Sequence, residues 1–159
     1  MFTGCKSQSN EEVYVSDLYN IHEEYQDAWG NVGKYDISLP RIHCDSKSAK
    51  KLNKTIKNEY KDLIHTLNEA KEEKYTLPDT SISYKEYWNK KMVSLVIKEE
   101  VEADDPRYKV YHFDFKTKKR VSNKKLYKKY KINQKDMKVW AAQAFDQEYA
   151  NEYYDNVKE

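Results

Sequence analysis

Polar and apolar residues alternate between Tyr35 and Leu39. Tyr35, Ile37 and Leu39 share one face and Asp36 and Ser38 the other, which is the two-residue period of a β-strand. Pro40 should end that strand, because it has no N–H for a ladder and pushes Leu39 toward extended geometry. Asp45 or Ser46 then offers a side-chain oxygen to the bare N–H groups of a helix start. From there Ala49, Leu52, Ile56, Tyr60, Leu63, Leu67 and Ala70 recur at steps of three and four, flanked by Lys, Asn, Glu and Asp. That is one apolar stripe on a helix over about 46–72, and it needs an apolar surface to lie on. The strands around it are the only source of one.

The earlier pattern from Glu12 to Gln26 is strand-like, with Val13, Val15, Tyr19 and Ile21, and Gly30 and Gly33 bracket a turn. After the helix, Leu77-Pro78-Asp79 leads into alternating Ile82 and Tyr84, with a hairpin turn at Asn89-Lys90. Val93, Leu95 and Ile97 alternate in the next strand, which fades into the acidic run EEVEADD. Asp105-Pro106 turns the chain into a strand from Tyr108 to Phe115. Lys109, Tyr111, Phe113 and Phe115 lie on one face and Val110, His112 and Asp114 on the other. Ser122 or Asn123 starts a short helix carrying Leu126 and Tyr130. Asn133 and Asp136 cap a last one with Met137, Trp140, Ala144 and Phe145 on one face. The predicted fold is α+β: an antiparallel sheet with one long helix packed across it, plus C-terminal helices.

Composition narrows the class. At 159 residues the chain has the length of one domain, enough to bury roughly 70% of its extended surface. Hydrophobic content is 38% and charge 35%, but 15 Tyr supply large rings whose hydroxyls can stay wet, so a core is within reach. A net charge of +2 argues against a polycation built for nucleic acid. With 3 Gly there is no phosphate-cradling loop and no nucleophile elbow.

Candidate chemistry is sparse. His22, His43, His65 and His112 sit on separate elements, and His22-Glu23-Glu24-Tyr25-Gln26 lacks the second imidazole of the zinc-protease pattern H-E-x-x-H. His43, Cys44 and Asp45 are neighbours without an identifiable orienting group. No catalytic, metal or cofactor site is predicted, and the chain is not expected to be an enzyme. Two charged stretches remain. Glu99, Glu100, Glu102, Asp104 and Asp105 form an acidic stretch suited to a basic ligand, or else a solvated loop. The run 116–131 holds nine Lys or Arg and no acid, with Tyr127 and Tyr130 interleaved. Its Lys118, Lys119, Arg120, Lys124, Lys125, Lys128 and Lys129 would suit a polyanion such as a wall polymer or acidic lipid, or else form a solvated helix face. No nucleic acid partner is expected.

Near the N-terminus, Phe2-Thr3-Gly4-Cys5 followed by a polar tract resembles the end of a bacterial lipoprotein signal. The preceding residues are only Met1 and Phe2, short of the apolar stretch such a signal carries. On this reading residues 1–11 are a tether, Cys5 is the lipidation site, and a disulfide between Cys5 and Cys44 is disfavoured.

Three segments together resemble a known family. YDISLPRIHCDSKSAKKLNKTI, ISYKEYWNKKMVSLVIKEE and VYHFDFKTKKRVSNKKLY are similar in order and spacing to an extracytoplasmic domain of bacterial envelope proteins. That domain is shared by RsiV-type anti-sigma factors, PdaC-type peptidoglycan deacetylases and lone Gram-positive lipoproteins. The likeness spans about residues 12–132, with Lys118 or Lys119 where that family usually has Gly. It implies a single α+β domain over 12–159, and since the family usually continues with further strands, either the domain is shortened at its C-terminal end or the sequence is a fragment. It also implies a non-enzymatic binding role on the outer face of the cell membrane, with lysozyme as the ligand in the anti-sigma members. The deacetylase's metal-binding Asp and paired His have no counterpart here. A small wall-modifying enzyme related to the deacetylases is the rival reading, and a structural module on anionic envelope polymers is a third.

Overall fold

The apolar stripe forms one long helix lying on a sheet in the computed structural model, which describes residues 13–131 and 133. The tether with Cys5, and the helix expected from Asp136 onward, lie outside the described residues. The chain divides into two compact units, residues 1–121 and 122–159. The first contains β1 (Tyr14–Gln26), β2 (Val32–His43), α1 (Lys47–Glu73), β3 (Thr80–Trp88), β4 (Met92–Val101), β5 (Arg107–Asp114) and β6 (Lys119–Val121). These strands form one six-stranded sheet in the order of the chain. The second unit contributes α2 (Asn123–Tyr130), whose N-cap is Ser122.

Ser46, not Asp45, caps α1: its side chain accepts from the Ala49 N–H at 3.0 Å, while Asp45 holds the Lys50 ammonium at 2.9 Å. Ala49, Leu52, Ile56, Tyr60, Leu67 and Ala70 are buried, and Leu63 packs half-buried beside them. They meet Ile37, Leu39 and Ile42 of β2, Ile82 of β3, Val93, Leu95 and Ile97 of β4, and Tyr111 and Phe113 of β5. Each buried Leu or Ile contributes about 2 kcal/mol, which is why a helix with so charged a surface holds its place. Asn53 adds a polar tie, accepting from the Ile42 N–H at 2.9 Å and donating to the Ile42 carbonyl at 2.8 Å. The helix ends at Lys74, which adopts φ 57 without being glycine.

The meander of β3, β4 and β5 is antiparallel as expected, but the sheet is not antiparallel throughout: β2 and β3 pair in parallel at Tyr35–Ile37 and Thr80–Ile82. The reason is length. A helix of 27 residues spans about 40 Å, and a 12-residue strand about the same, so α1 returns the chain to the end where β2 began. A strand restarting there must run beside β2 in the same direction.

Three further readings are corrected. Pro40 does not end β2, which runs on to His43. At Pro40 the strand has left β3 and pairs only with β1, beside a register shift between Asp17 and Tyr19, and a proline is tolerated at such a one-sided, irregular place. Gly33 lies within β2 and not in the turn. A Cβ there would come within 2.7 Å of the Tyr35 hydroxyl, so the position needs glycine for close approach, while Gly30 at φ 92 makes the reversal. Finally, β4 does not fade into the acidic run but continues to Val101, taking Glu99 and Glu100 into the ladder. The short β6 was not apparent, because three residues carry no period; Lys118, at φ 52, makes the left-handed turn into it.

Candidate functional site

Because consecutive hairpin turns fall at alternate ends of a meander, the sheet gathers distant parts of the chain into two clusters. At one end lie the β1–β2 turn, the segment after α1, and the β4–β5 turn. At the other lie Tyr14 opposite His43, the start of α1, and the turns after β3 and β5.

The first end is acidic. Asp36 on β2, Ser81 on β3 and Glu100 on β4 are cross-strand neighbours in one row, with His22 of β1 beyond Asp36. They lie on the face away from α1, since Ile37 and Ile82, next to them in sequence, are buried on the other. Asp36, Asp79, Glu100 and Glu102 line an open groove of about 440 Å³ together with Lys34, Thr80, Ser81 and Val101. The backbone there is fixed: Asp79 accepts from the Lys34 N–H at 2.9 Å, and the Glu102 N–H donates to the Asp79 carbonyl at 2.8 Å. Behind it the Tyr35 hydroxyl donates to the Leu77 carbonyl at 3.0 Å and accepts from the Leu77 N–H at 2.9 Å. Tyr25 donates to the Tyr75 carbonyl at 2.5 Å, and burial and its contact with Tyr35 push its pKa up. Asp27 holds the neighbouring turn. It accepts from the N–H groups of Trp29 and Asn31 and from the Asn31 amide, and those bonds hold its carboxyl below the usual range.

The five acidic residues singled out from sequence therefore separate. Glu100 and Glu102 reach the groove. Glu99 points the other way, under α1, where it accepts from the Tyr60 hydroxyl at 2.6 Å and holds the Lys109 ammonium at 2.5 Å. Its side chain is only 15% exposed. Burial alone would raise its pKa, but Lys109 and Tyr60 outweigh that and hold it low. Burial would likewise lower Lys109, yet Glu99 and Glu59 keep it raised and charged. Tyr111 completes this cluster by donating to Glu59. Glu99 belongs to the helix–sheet contact and not to the groove, because strand alternation turns its side chain away from Glu100. Asp104 pairs with Arg107 at 3.2 Å, and Asp105 is exposed in the same turn. Asp36 and Asp79 were not picked out from sequence; neither lies in a charged run, and only the sheet brings them beside Glu100.

The second end is basic. The Phe115 N–H donates to the Lys91 carbonyl at 3.0 Å, which places the β3–β4 and β5–β6 turns side by side. Lys90, Lys91, Lys116, Lys118, Lys119 and Arg120 cluster there. Trp88 and Phe115 pack between the two turns, ring centroids 5.8 Å apart. Of the predicted polyanion set, Lys118, Lys119 and Arg120 belong to this end, while Lys124, Lys125, Lys128 and Lys129 lie on α2 in the second unit.

The histidines stay apart. His22 contacts Asp36 at 2.7 Å, His43 bonds Ser16 at 2.7 Å, His65 faces Glu69 at 3.5 Å and His112 bonds Ser94 at 2.8 Å. Burial lowers the His112 pKa and favours its neutral form. Cys44 is a half-buried free thiol against the core. Among the described residues no group of three or more His, Cys, Asp or Glu is placed to hold a metal ion, and no helix is long and apolar enough to cross a membrane. No family model matches this chain, and no curated protein matches it either.

Proposed function

We propose that this chain is a non-enzymatic binding domain of the bacterial cell envelope that presents its acidic end to a cationic partner. A lysozyme-type muramidase is the first such partner to consider. The observation that carries the reading is the groove lined by Asp36 of β2, Glu100 of β4, and Asp79 and Glu102 just outside β3 and β4, four carboxylates with Lys34 lining the groove and Lys98 held by Glu100 at 2.7 Å. Carboxylates held on paired backbone need little reordering when a basic surface arrives, and complementary charge speeds and orients the encounter. The likeness of the three quoted segments to the RsiV- and PdaC-type domain supports the same class of ligand and an extracytoplasmic setting. The Gly4-Cys5 pair supports a lipid tether to the outer face of the membrane.

Binding of the full chain to immobilised lysozyme tests this. Saturable binding is expected, weakened about tenfold by Glu100→Gln with Glu102→Gln and weakened further by salt. Glu99→Gln, packed under α1 and away from the groove, should change stability and leave affinity nearly unaltered. Absence of binding by a chain shown folded by circular dichroism would remove the muramidase reading.

A further inference from the structure

We propose that the basic end of the sheet docks on the surface of an anionic lipid bilayer. This goes beyond the acidic-end reading, and only its fourth observation rests on the lipid tether proposed with that reading. Four observations converge. The first is the pair of lysine-bearing turns, Lys90 and Lys91 beside Lys116, Lys118 and Lys119, with Arg120 following. The carboxylates among them each have a neighbour already: Asp45 holds Lys50, Asp114 accepts from the Thr117 N–H, and Glu86 accepts from the Trp88 indole.

The second is aromatic. Trp88 is 45% exposed at the tip of β3, over Phe115, while Tyr87, 55% exposed, faces the opposite side of the strand. An indole with its N–H satisfied, ringed by ammonium groups, suits the headgroup layer, where aromatic rings settle and lysines meet phosphates. Trp29, at the acidic end, is more exposed still at 81%, so what distinguishes Trp88 is its place between two lysine-bearing turns.

The third is α1, whose positive N-terminal end lies at this same end, as the Arg120 N–H donating to Ser48 at 2.7 Å shows. Its first turn has no acidic residue and carries Lys47 and Lys50, against what the helix dipole favours for stability. A local rule broken in this direction is consistent with a surface kept positive for a partner. The fourth is connectivity. β1 begins here, at Tyr14, so the segment leading back to Cys5 joins the domain at its basic end. A membrane-held N-terminus would bring these turns, and not the acidic groove, to the bilayer.

The test uses the full chain carrying Cys5→Ser, so that no lipid anchor contributes, in sedimentation with vesicles. Binding is expected to vesicles of phosphatidylglycerol mixed with phosphatidylcholine and not to phosphatidylcholine alone. Each of Lys90→Gln, Lys91→Gln and Lys116→Gln should weaken it about fivefold. Brominated acyl chains should quench the wild-type fluorescence, and less so with Trp88→Phe. These are exposed turn positions, so the folded state should survive each change, which circular dichroism checks. Equal binding to both vesicle types, or no binding to either, would overturn the proposal. So would lysine-dependent binding of soluble polyphosphate without any Trp88-dependent quenching, which would assign the lysines to a dissolved polymer.

Discussion

The two ends of the sheet are made of the same parts, short turns joining strands, yet they carry opposite charge, and α1 exaggerates the difference. At its C-terminal end Glu72 and Glu73 are offset by Lys71 and Lys74, but its N-terminal turn carries Lys47 and Lys50, charge of the dipole's own sign. A chain selected for stability alone would reverse that arrangement. The net charge of +2 hides this polarity, because acids and bases cancel in the sum and separate only in space. Charge placement, more than composition, sets the two ends of this molecule apart.

The comparison breaks most completely if the frame between the ends is removed. Ile56 is fully buried between α1 and the sheet, and Ile56→Ala should destabilise by about 3 kcal/mol in urea unfolding, lowering binding at both ends together. A smaller effect comes from the cluster under α1. Lys109→Met leaves Glu99 and Glu59 without their shared cation and should cost about 2 kcal/mol. The pH dependence follows from the signs. Glu99 has a lowered pKa, so its contribution is present above pH 4.5 and fades as pH falls through its folded value. Lys109 has a raised pKa, so its contribution is present below pH 10.5 and fades as pH rises through its folded value. Glu99→Gln should accordingly flatten the acid limb of the stability profile, measured by denaturation across pH. The smallest effect sharpens the contrast most: Lys47→Glu should stabilise the fold by about 0.5 kcal/mol while weakening binding to anionic vesicles. Stabilisation without loss of vesicle binding would show that the helix charges serve no partner.

Much of the frame was legible in the residues. The stripe from Ala49 to Ala70 and the alternation of Val93, Leu95 and Ile97 each follow from a single local period, whereas the sequence left the cap open between Asp45 and Ser46 and only the bond from the Ala49 N–H decides for Ser46. What stayed hidden depends on pairs far apart in sequence. The parallel β2–β3 contact follows from the matched lengths of β2 and α1. Pro40 survives inside a strand because β3 has already parted from it. For the candidate site, the acidic stretch 99–105 was visible as a run, but strand alternation sends Glu99 under the helix while Glu100 faces the groove. Asp36 and Asp79 join Glu100 only through the ladder, and Lys90 and Lys91 reach Lys116 only through the meander. No run of charge along the chain announces either meeting.

Hydrogen exchange of the full chain, with and without lysozyme, tests the polarity most directly. New protection is expected only at the acidic end, in β2 around Lys34–Asp36, in Asp79–Ser81 and from Glu100 to Asp105, with Trp88–Met92 and Asp114–Arg120 unchanged. Protection at the lysine-bearing turns, or protection spread evenly over both ends, would contradict that polarity.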